Sequence, residues 1–177
     1  NDSQFSYYLS KHGEIYINDA FGTSHRAHAS NVGIAEYFSE KGIGILIETE
    51  IAFLQLAIQK PKRPLTLIIG GAKIGDKLQL IYNFFQCADS ILVGGGMSFT
   101  FLRAKGYDIG SSLIDESMLD DAKEILKEAR RSKTEMIFPG DFISVKKIEN
   151  PESMRITKLN NFPAKEIGVD IGPVSSK

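Results

Sequence analysis

The sequence predicts an α/β protein built on an open parallel sheet with helices on both faces, of Rossmann-like kind. Three observations predict it. Nearly all-apolar runs of strand length, at 65–69 and 90–93, alternate with segments of helical spacing. Both runs end in glycines, Gly70-Gly71 and Gly94-Gly95-Gly96, where a strand hands over to a helix. The composition, 42% apolar and 24% charged over 177 residues, is that of a globular chain.

Taken in order, residues 5–11 carry Phe5, Tyr8 and Leu9 at helical intervals and read as the end of an amphipathic helix. Residues 14–17 form a short β-branched and aromatic strand. After Ser30 comes a helical or irregular segment with Val32, Ile34, Tyr37 and Phe38. The first 40 or so residues have no evident sheet of their own. Ile47, Ile51, Leu54 and Ile58 define a helix over 45–58, which Pro61 and Pro64 bring to an end. The 65–69 strand reads as buried on both faces. Leu78, Ile81, Tyr82 and Phe85 mark the next helix, and Phe101 and Leu102 the one after the three glycines. Ala122, Ile125, Leu126 and Ala129 give one face of a helix over 119–131. A strand at 136–138 leads to Pro139-Gly140-Asp141. Residues 142–145 read as an extension of the same sheet, 146–165 as loop or small meander, and 167–171 as a further strand.

Bulk properties narrow the function. A net charge of −1 gives no global pull toward nucleic acid or an anionic membrane. No apolar run reaches membrane-spanning length, and the first residues lack a signal-peptide layout. The single cysteine, Cys87, has no internal disulfide partner, so the expected compartment is the reducing cytoplasm. The chain opens on Asn1 and closes on Ile171-Gly172-Pro173-Val174-Ser175-Ser176-Lys177, which reads as a strand, a turn and the opening of a helix. It is therefore expected to be an internal piece, or the ordered part, of a longer protein.

Three segments carry chemistry. In 18–30, Arg26 stands between His25 and His28 just past a strand end, where turns offer free N–H groups to anions. A guanidinium fork suits phosphate oxygens. The segment also fits a plain connection whose polar residues cap and solubilise, or a metal site with Asp19 as third ligand, although no fourth donor is evident. In Gly71-Ala72-Lys73, small residues admit close backbone approach. Lys73 and Lys77, four apart, can share one face of a helix entrance and seat a diphosphate or a phosphoryl group in flight. A βα turn with solvated lysines is the blander alternative, and the Walker A spacing is absent. Gly94, Gly95 and Gly96 have no base nearby before Arg103, which suits a flat neutral group such as a purine, or else close helix–strand packing. Asp115, Glu116, Asp120 and Asp121 are ordinary helix-dipole chemistry.

The segment Asn18-Asp19-Ala20-Phe21-Gly22-Thr23-Ser24-His25-Arg26-Ala27-His28 resembles the NDAFGTxHRAH signature of the phosphoglycerate kinase family. Residues 70–77, 94–101, 109–113 and 168–173 resemble it in the same order, so the likeness spans essentially the whole chain. The resemblance implies a two-lobed enzyme that moves a phosphoryl group reversibly between 1,3-bisphosphoglycerate and ADP, giving 3-phosphoglycerate and ATP. Its lobes close by hinge bending, it is a monomer when intact, and Mg accompanies the nucleotide. Residues 1–42 would be the tail of the N-terminal substrate lobe, 43–60 the inter-domain helix, and 61–177 the front half of the C-terminal nucleotide lobe. Arg26 would hold the substrate's 3-phosphate. Lys73 would follow the transferring phosphoryl group, and Lys77 would meet the α-phosphate side. Gly71, Ala72, Gly94, Gly95, Gly96, Leu113, Gly168 and Val169 would line the nucleoside pocket.

The chain also departs from the family pattern. Gly75 stands where Ser or Ala is usual, which loosens the helix's first turn. Residues 44–48 replace a more usual GFLMxKE-like run, and Ile148 lies near where many relatives place an aromatic against the adenine. The family's early substrate residues and its late GGGDT-like loop, with the Mg-serving aspartate, are not among these residues, so the piece alone is expected to be inactive. The alternative is a non-catalytic nucleotide-binding or regulatory module. A Rossmann-type oxidoreductase is disfavoured, because Gly-x-Gly-x-x-Gly is absent and no acidic residue ends the second strand.

Overall fold

The computed structural model describes residues 2–149 and 154–177. Its elements are α1 (Ser3–Ser10), β1 (Tyr16–Asn18), β2 (Lys41–Ile43), α2 (Ile45–Gln59), β3 (Thr66–Ile69), α3 (Leu78–Phe84), β4 (Ser90–Val93), α4 (Met97–Ala104), α5 (Leu119–Arg131), β5 (Glu135–Ile137), β6 (Asp141–Val145), β7 (Arg155–Lys158) and β8 (Ile167–Ile171). The chain divides into two units, Asn1–Pro61 and Lys62–Lys177.

In the first unit, Asp2 caps α1, its carboxylate accepting from the Gln4 and Phe5 amides at 2.9 and 3.2 Å. The expectation that the first 40 or so residues lack a sheet needs correction. β1 pairs in parallel with β2, from Tyr16 opposite Lys41 to Asn18 opposite Ile43. The strand expected at 14–17 is seated later, at 16–18, because the Tyr16 amide takes the Glu40 carbonyl as its first partner. The stretch after Ser30 opens with a single π-turn, Ala29–Gly33. Between Ile45 and Gln59, α2 buries only Ile47.

The second unit holds a parallel sheet in the order β3-β4-β5, with Ile68 opposite Leu92 and Leu92 opposite Ile137. The α/β class is thus the architecture observed. Leu67, Ile69, Ile91, Val93 and Met136 turn toward Ile81 of α3, Met97 and Phe101 of α4, and Ala122 and Ile125 of α5. Two crossovers of one hand that step the same way across a sheet leave their helices on one face. The opposite row, Ile68, Leu92 and Ile137, is therefore open: Ile68 is 75% exposed. This corrects the expectation that residues 65–69 are buried on both faces. Burial of Ile81, Ile91 and Ile125 away from water stabilises this core by about 1.5–3 kcal/mol each.

Residues 142–145 do not extend that sheet. β6 is the centre of a separate antiparallel sheet, β7-β6-β8. Only Phe138, Pro139 and Gly140 separate β5 from β6, and a parallel neighbour needs a crossover of about a dozen residues. β7, with a 3₁₀ turn over Leu159–Asn161, occupies part of the stretch read as loop or meander; residues 150–153 of that stretch lie outside the described residues. Packing of α4 and the loop after it against the antiparallel sheet forms a second core of Phe99, Leu102, Ile109, Phe142 and Phe162. Phe99 meets the Phe142 ring at 4.8 Å and the Phe162 ring at 6.1 Å. Because α4 supplies Met97 and Phe101 to one core and Phe99 and Leu102 to the other, every residue from Met97 to Leu102 is buried.

Candidate functional site

Two glycine turns leave the C-terminal ends of β3 and β4, and they touch. Gly71 and Gly95 have φ of 129° and 63°, values that disfavour a side chain. A Cβ on Gly95 would lie 2.7 Å from the Gly71 nitrogen, and one on Gly96 3.4 Å from the Ala72 Cα. The Met97 amide donates to the Gly71 carbonyl at 2.8 Å, seating the first turn of α4 against the neighbouring loop.

Beside this junction is a pocket of about 330 Å³, a volume in the range of small-molecule sites. Gly95, Gly96, Ser98 and Phe99 form one side. Phe142 and the strand residues from Ile167 to Ile171 form another, and Leu113 and Ile148 stand at the rim. The lining is mostly apolar, with backbone groups, Ser98 and Asp170 as its polar exceptions. At Gly168 a Cβ would run into the Phe99 ring, so the absence of a side chain is what lets β8 lie against that ring. The Gly168 amide donates to Ser112 Oγ at 2.9 Å. A bulge in the ladder sets Gly168 opposite Ser144 while Asp170 faces Ile143.

Two buried carboxylates fix the surrounding backbone. Asp141 accepts from the Val174 and Ser175 amides at 3.0 and 2.8 Å and from the Ser175 hydroxyl, fastening the chain after β8 to the start of β6. The hydroxyl, with those amides, holds its carboxyl below the usual aspartate range despite its burial. Glu166 accepts from Ser144 Oγ at 2.7 Å and pairs with Arg155 at 2.7 Å. The Ser144 bond and then the Arg155 charge lower its carboxyl in the same way.

Gly95, Gly96, Leu113, Gly168 and Val169 meet in this pocket. Gly71 and Ala72 stand behind it, in contact with Gly95 and Gly96. Gly94 lies elsewhere, in a depression of about 340 Å³ with Ile68, Leu92 and Ile137. Lys73 and Lys77 do not share a helix entrance. Gly75–Lys77 is a 3₁₀ turn and α3 starts only at Leu78, so Lys73 precedes all helical structure. Gly75 is a poor helix former, and fully buried Ile74 pins the loop between the lysines. Lys73 itself is exposed, directly after Ala72.

In the first unit, Arg26 is exposed on a loop that the Asn31 side chain holds, donating to the Ser24 and Arg26 carbonyls at 3.0 Å each. Asn18 donates in turn to Asn31 Oδ1 at 2.9 Å. Asp19 turns toward α2 and accepts from the Ile47 amide at 3.0 Å, satisfying one of the helix's free donors. Only glycine fits at Gly44, where a Cβ would collide with the Asp19 carboxylate. No three His, Cys, Asp or Glu side chains converge to hold a metal among the described residues.

Sequence reasoning missed the aromatic walls Phe99 and Phe142, which read as ordinary helix and strand residues. It also missed Ser112 and Asp141, whose partners lie far along the chain. The short 138–140 connection was the one available sign of a second sheet.

Fold and site together define an α/β chain whose apolar pocket opens beside the glycine turns at the C-terminal ends of a parallel sheet. The profile of the family described as Phosphoglycerate kinase matches residues 1–177. The chain belongs to that family. It is 41% identical over 177 residues to the phosphoglycerate kinase of Clostridium tetani, covering 100% of this chain and 44% of that protein. Against that of Pelodictyon phaeoclathratiforme it is 42% identical, covering 100% of this chain and 45% of the other. The structure of phosphoglycerate kinase from Coxiella burnetii superposes with a TM-score of 0.81 at 31% identity, covering 99% of this chain and 45% of that one. The enzyme from Pyrococcus horikoshii gives 0.78 at 28% identity, covering 99% and 46%. The chain thus spans under half the length of these relatives. Among the described residues no helix is long and apolar enough to cross a membrane.

Proposed function

We propose that this chain contributes the front of the nucleotide lobe, and part of the substrate lobe, of a glycolytic phosphotransferase. The reaction is reversible phosphoryl transfer between 1,3-bisphosphoglycerate and ADP, giving 3-phosphoglycerate and ATP. The observation that carries the reading is the 330 Å³ pocket, flanked by both glycine turns, in a chain of this family. Its apolar lining suits a nucleoside, and Phe99, Leu113, Gly168 and Val169 would hold the base and sugar. Lys73, one residue beyond the Ala72 that backs Gly96, would meet the transferring phosphoryl group, and Lys77 the α-phosphate side. Such transfer needs little covalent chemistry and depends on positioned charge. Arg26, whose guanidinium has no hydrogen-bond or ion-pair partner among the described residues, would hold the substrate's 3-phosphate. Residues 1–42, 43–60 and 61–177 would serve as substrate-lobe tail, inter-domain helix and nucleotide-lobe front. Mg²⁺ would accompany the nucleotide phosphates, its protein carboxylate coming from outside these residues. The 177 residues alone would bind nucleotide without turning over, and the intact enzyme would work as a cytoplasmic monomer.

The test is Lys73→Ala in the polypeptide encoded by the gene. Turnover falls by orders of magnitude if the lysine meets the reacting group, and unchanged turnover removes that role. ADP binding with no transfer in the unaltered polypeptide would leave a nucleotide-binding or regulatory module instead.

A further inference from the structure

Two lips of the pocket come from segments far apart in sequence, the loop bearing Leu113 and the strand bearing Gly168 and Val169. One side-chain hydrogen bond joins them. Ser112, 7% exposed, accepts the Gly168 amide on its hydroxyl at 2.9 Å, and its neighbour Leu113 stands at the pocket rim. The rest of the loop is stitched further from the pocket. The Ser111 amide donates to the Glu166 carbonyl at 2.8 Å, and the Ser111 hydroxyl to the Ala164 carbonyl at 3.1 Å. Gly168 has no side chain to anchor it and lies against the Phe99 ring. Its backbone position is therefore set by the ladder to β6, interrupted here by the bulge, and by Ser112.

We infer that Ser112 is a positioning residue for the nucleoside pocket: its hydroxyl fixes the Gly168 backbone relative to Leu113 and so sets the width of the slot for a purine nucleoside. The inference rests on the reading of this pocket as a nucleotide site. Removing the hydroxyl leaves a half-buried amide without its acceptor and frees the β8 lip to drift toward or away from Phe99. The slot then accepts a nucleoside only after being restored, which weakens nucleotide binding without touching the reacting phosphoryl group.

The experiment compares Ser112→Ala, Ser112→Thr and Ser111→Ala in the polypeptide encoded by the gene, with ADP and adenosine as probes. Ser111→Ala removes a hydroxyl bond of the same loop that does not reach a lining residue, and so controls for loss of loop stability. Expected for Ser112→Ala is a rise of about 3- to 10-fold in the KM for ADP and the Kd for adenosine, the size of one lost hydrogen bond. The kcat and the KM for 3-phosphoglycerate stay within twofold. Ser112→Thr, which keeps the hydroxyl, restores most of the ADP affinity, and Ser111→Ala leaves it unchanged. If Ser112→Ala binds ADP as the unaltered protein does, while Gly168→Ala does not, the inference falls and the pocket stands. If Gly168→Ala also leaves ADP and adenosine unaffected, the pocket reading falls with it. Equal weakening by Ser111→Ala and Ser112→Ala would reduce Ser112 to loop stability and overturn the inference.

Discussion

A methyl group added at Gly168 perturbs the pocket more directly than any other single change. Gly168 lies outside the left-handed region, so alanine costs nothing in backbone strain there; the whole effect is steric. The new Cβ would overlap Cζ, Cε1 and Cε2 of Phe99. That ring cannot swing away freely, since Phe142 and Phe162 back it at 4.8 and 6.1 Å between centroids. Either Phe99 tilts into the pocket or β8 moves off it. Overpacking of this kind costs about 1–3 kcal/mol. If the apo protein relieves that strain by closing or distorting the slot, bound ADP must reimpose it. The affinity for ADP then drops about 5- to 140-fold, at 1.4 kcal/mol per decade. Calorimetric titration of ADP into Gly168→Ala and the unaltered protein measures the drop, and thermal unfolding of both shows that the variant is folded. A folded Gly168→Ala protein that binds ADP within twofold of the original would refute the reasoning.

Two further outcomes follow from the polar anchors. Asp141 and Glu166 have carboxyls held below their ordinary range by Ser175 and Ser144 respectively. Each contributes stability that is present above its unfolded pKa, about 4, and is lost as pH falls through the folded value. Thermal stability is therefore expected to fall as pH drops below about 4.5, and Asp141→Asn and Glu166→Gln are expected to flatten that acid limb, as a melting series over pH reads out. Asp19→Ala removes the acceptor of the Ile47 amide at the start of α2. It should cost about 0.5–2 kcal/mol of stability, measured by denaturant unfolding, with amide exchange fastest at residues 45–48.

The alternation from β3 to β5 was legible because each segment shows its own period, and because Gly70-Gly71 and Gly94-Gly95-Gly96 mark the handovers. Covering of one face could be anticipated only once the strand order was known. The antiparallel sheet was hidden for a different reason. Arg155-Ile156-Thr157-Lys158 is a short alternating run in polar surroundings, and its partner β6 is buried on both sides like a parallel strand. The pocket was legible only in pieces. Gly95 and Gly96 stood out at a strand end as a seat for a flat neutral group, and Leu113, Gly168 and Val169 were named by resemblance, whereas no local spacing connects Leu113 or Phe99 with Gly168. Their meeting depends on β8 pairing with β6 and on the Ser112 bond, both of them long-range contacts. Asp19 shows the same limit. Beside two histidines it admitted a metal reading, and only the fold reveals the α2 amide it accepts.

The most direct test of the account is an ADP titration followed residue by residue through backbone amide resonances. The account predicts that Gly95, Gly96, Gly168 and Val169 shift together and saturate with one dissociation constant, while Gly94, in the separate depression near Ile68, moves little. Saturable shifts confined to that depression, or none at all at Gly95 and Gly168, would contradict it.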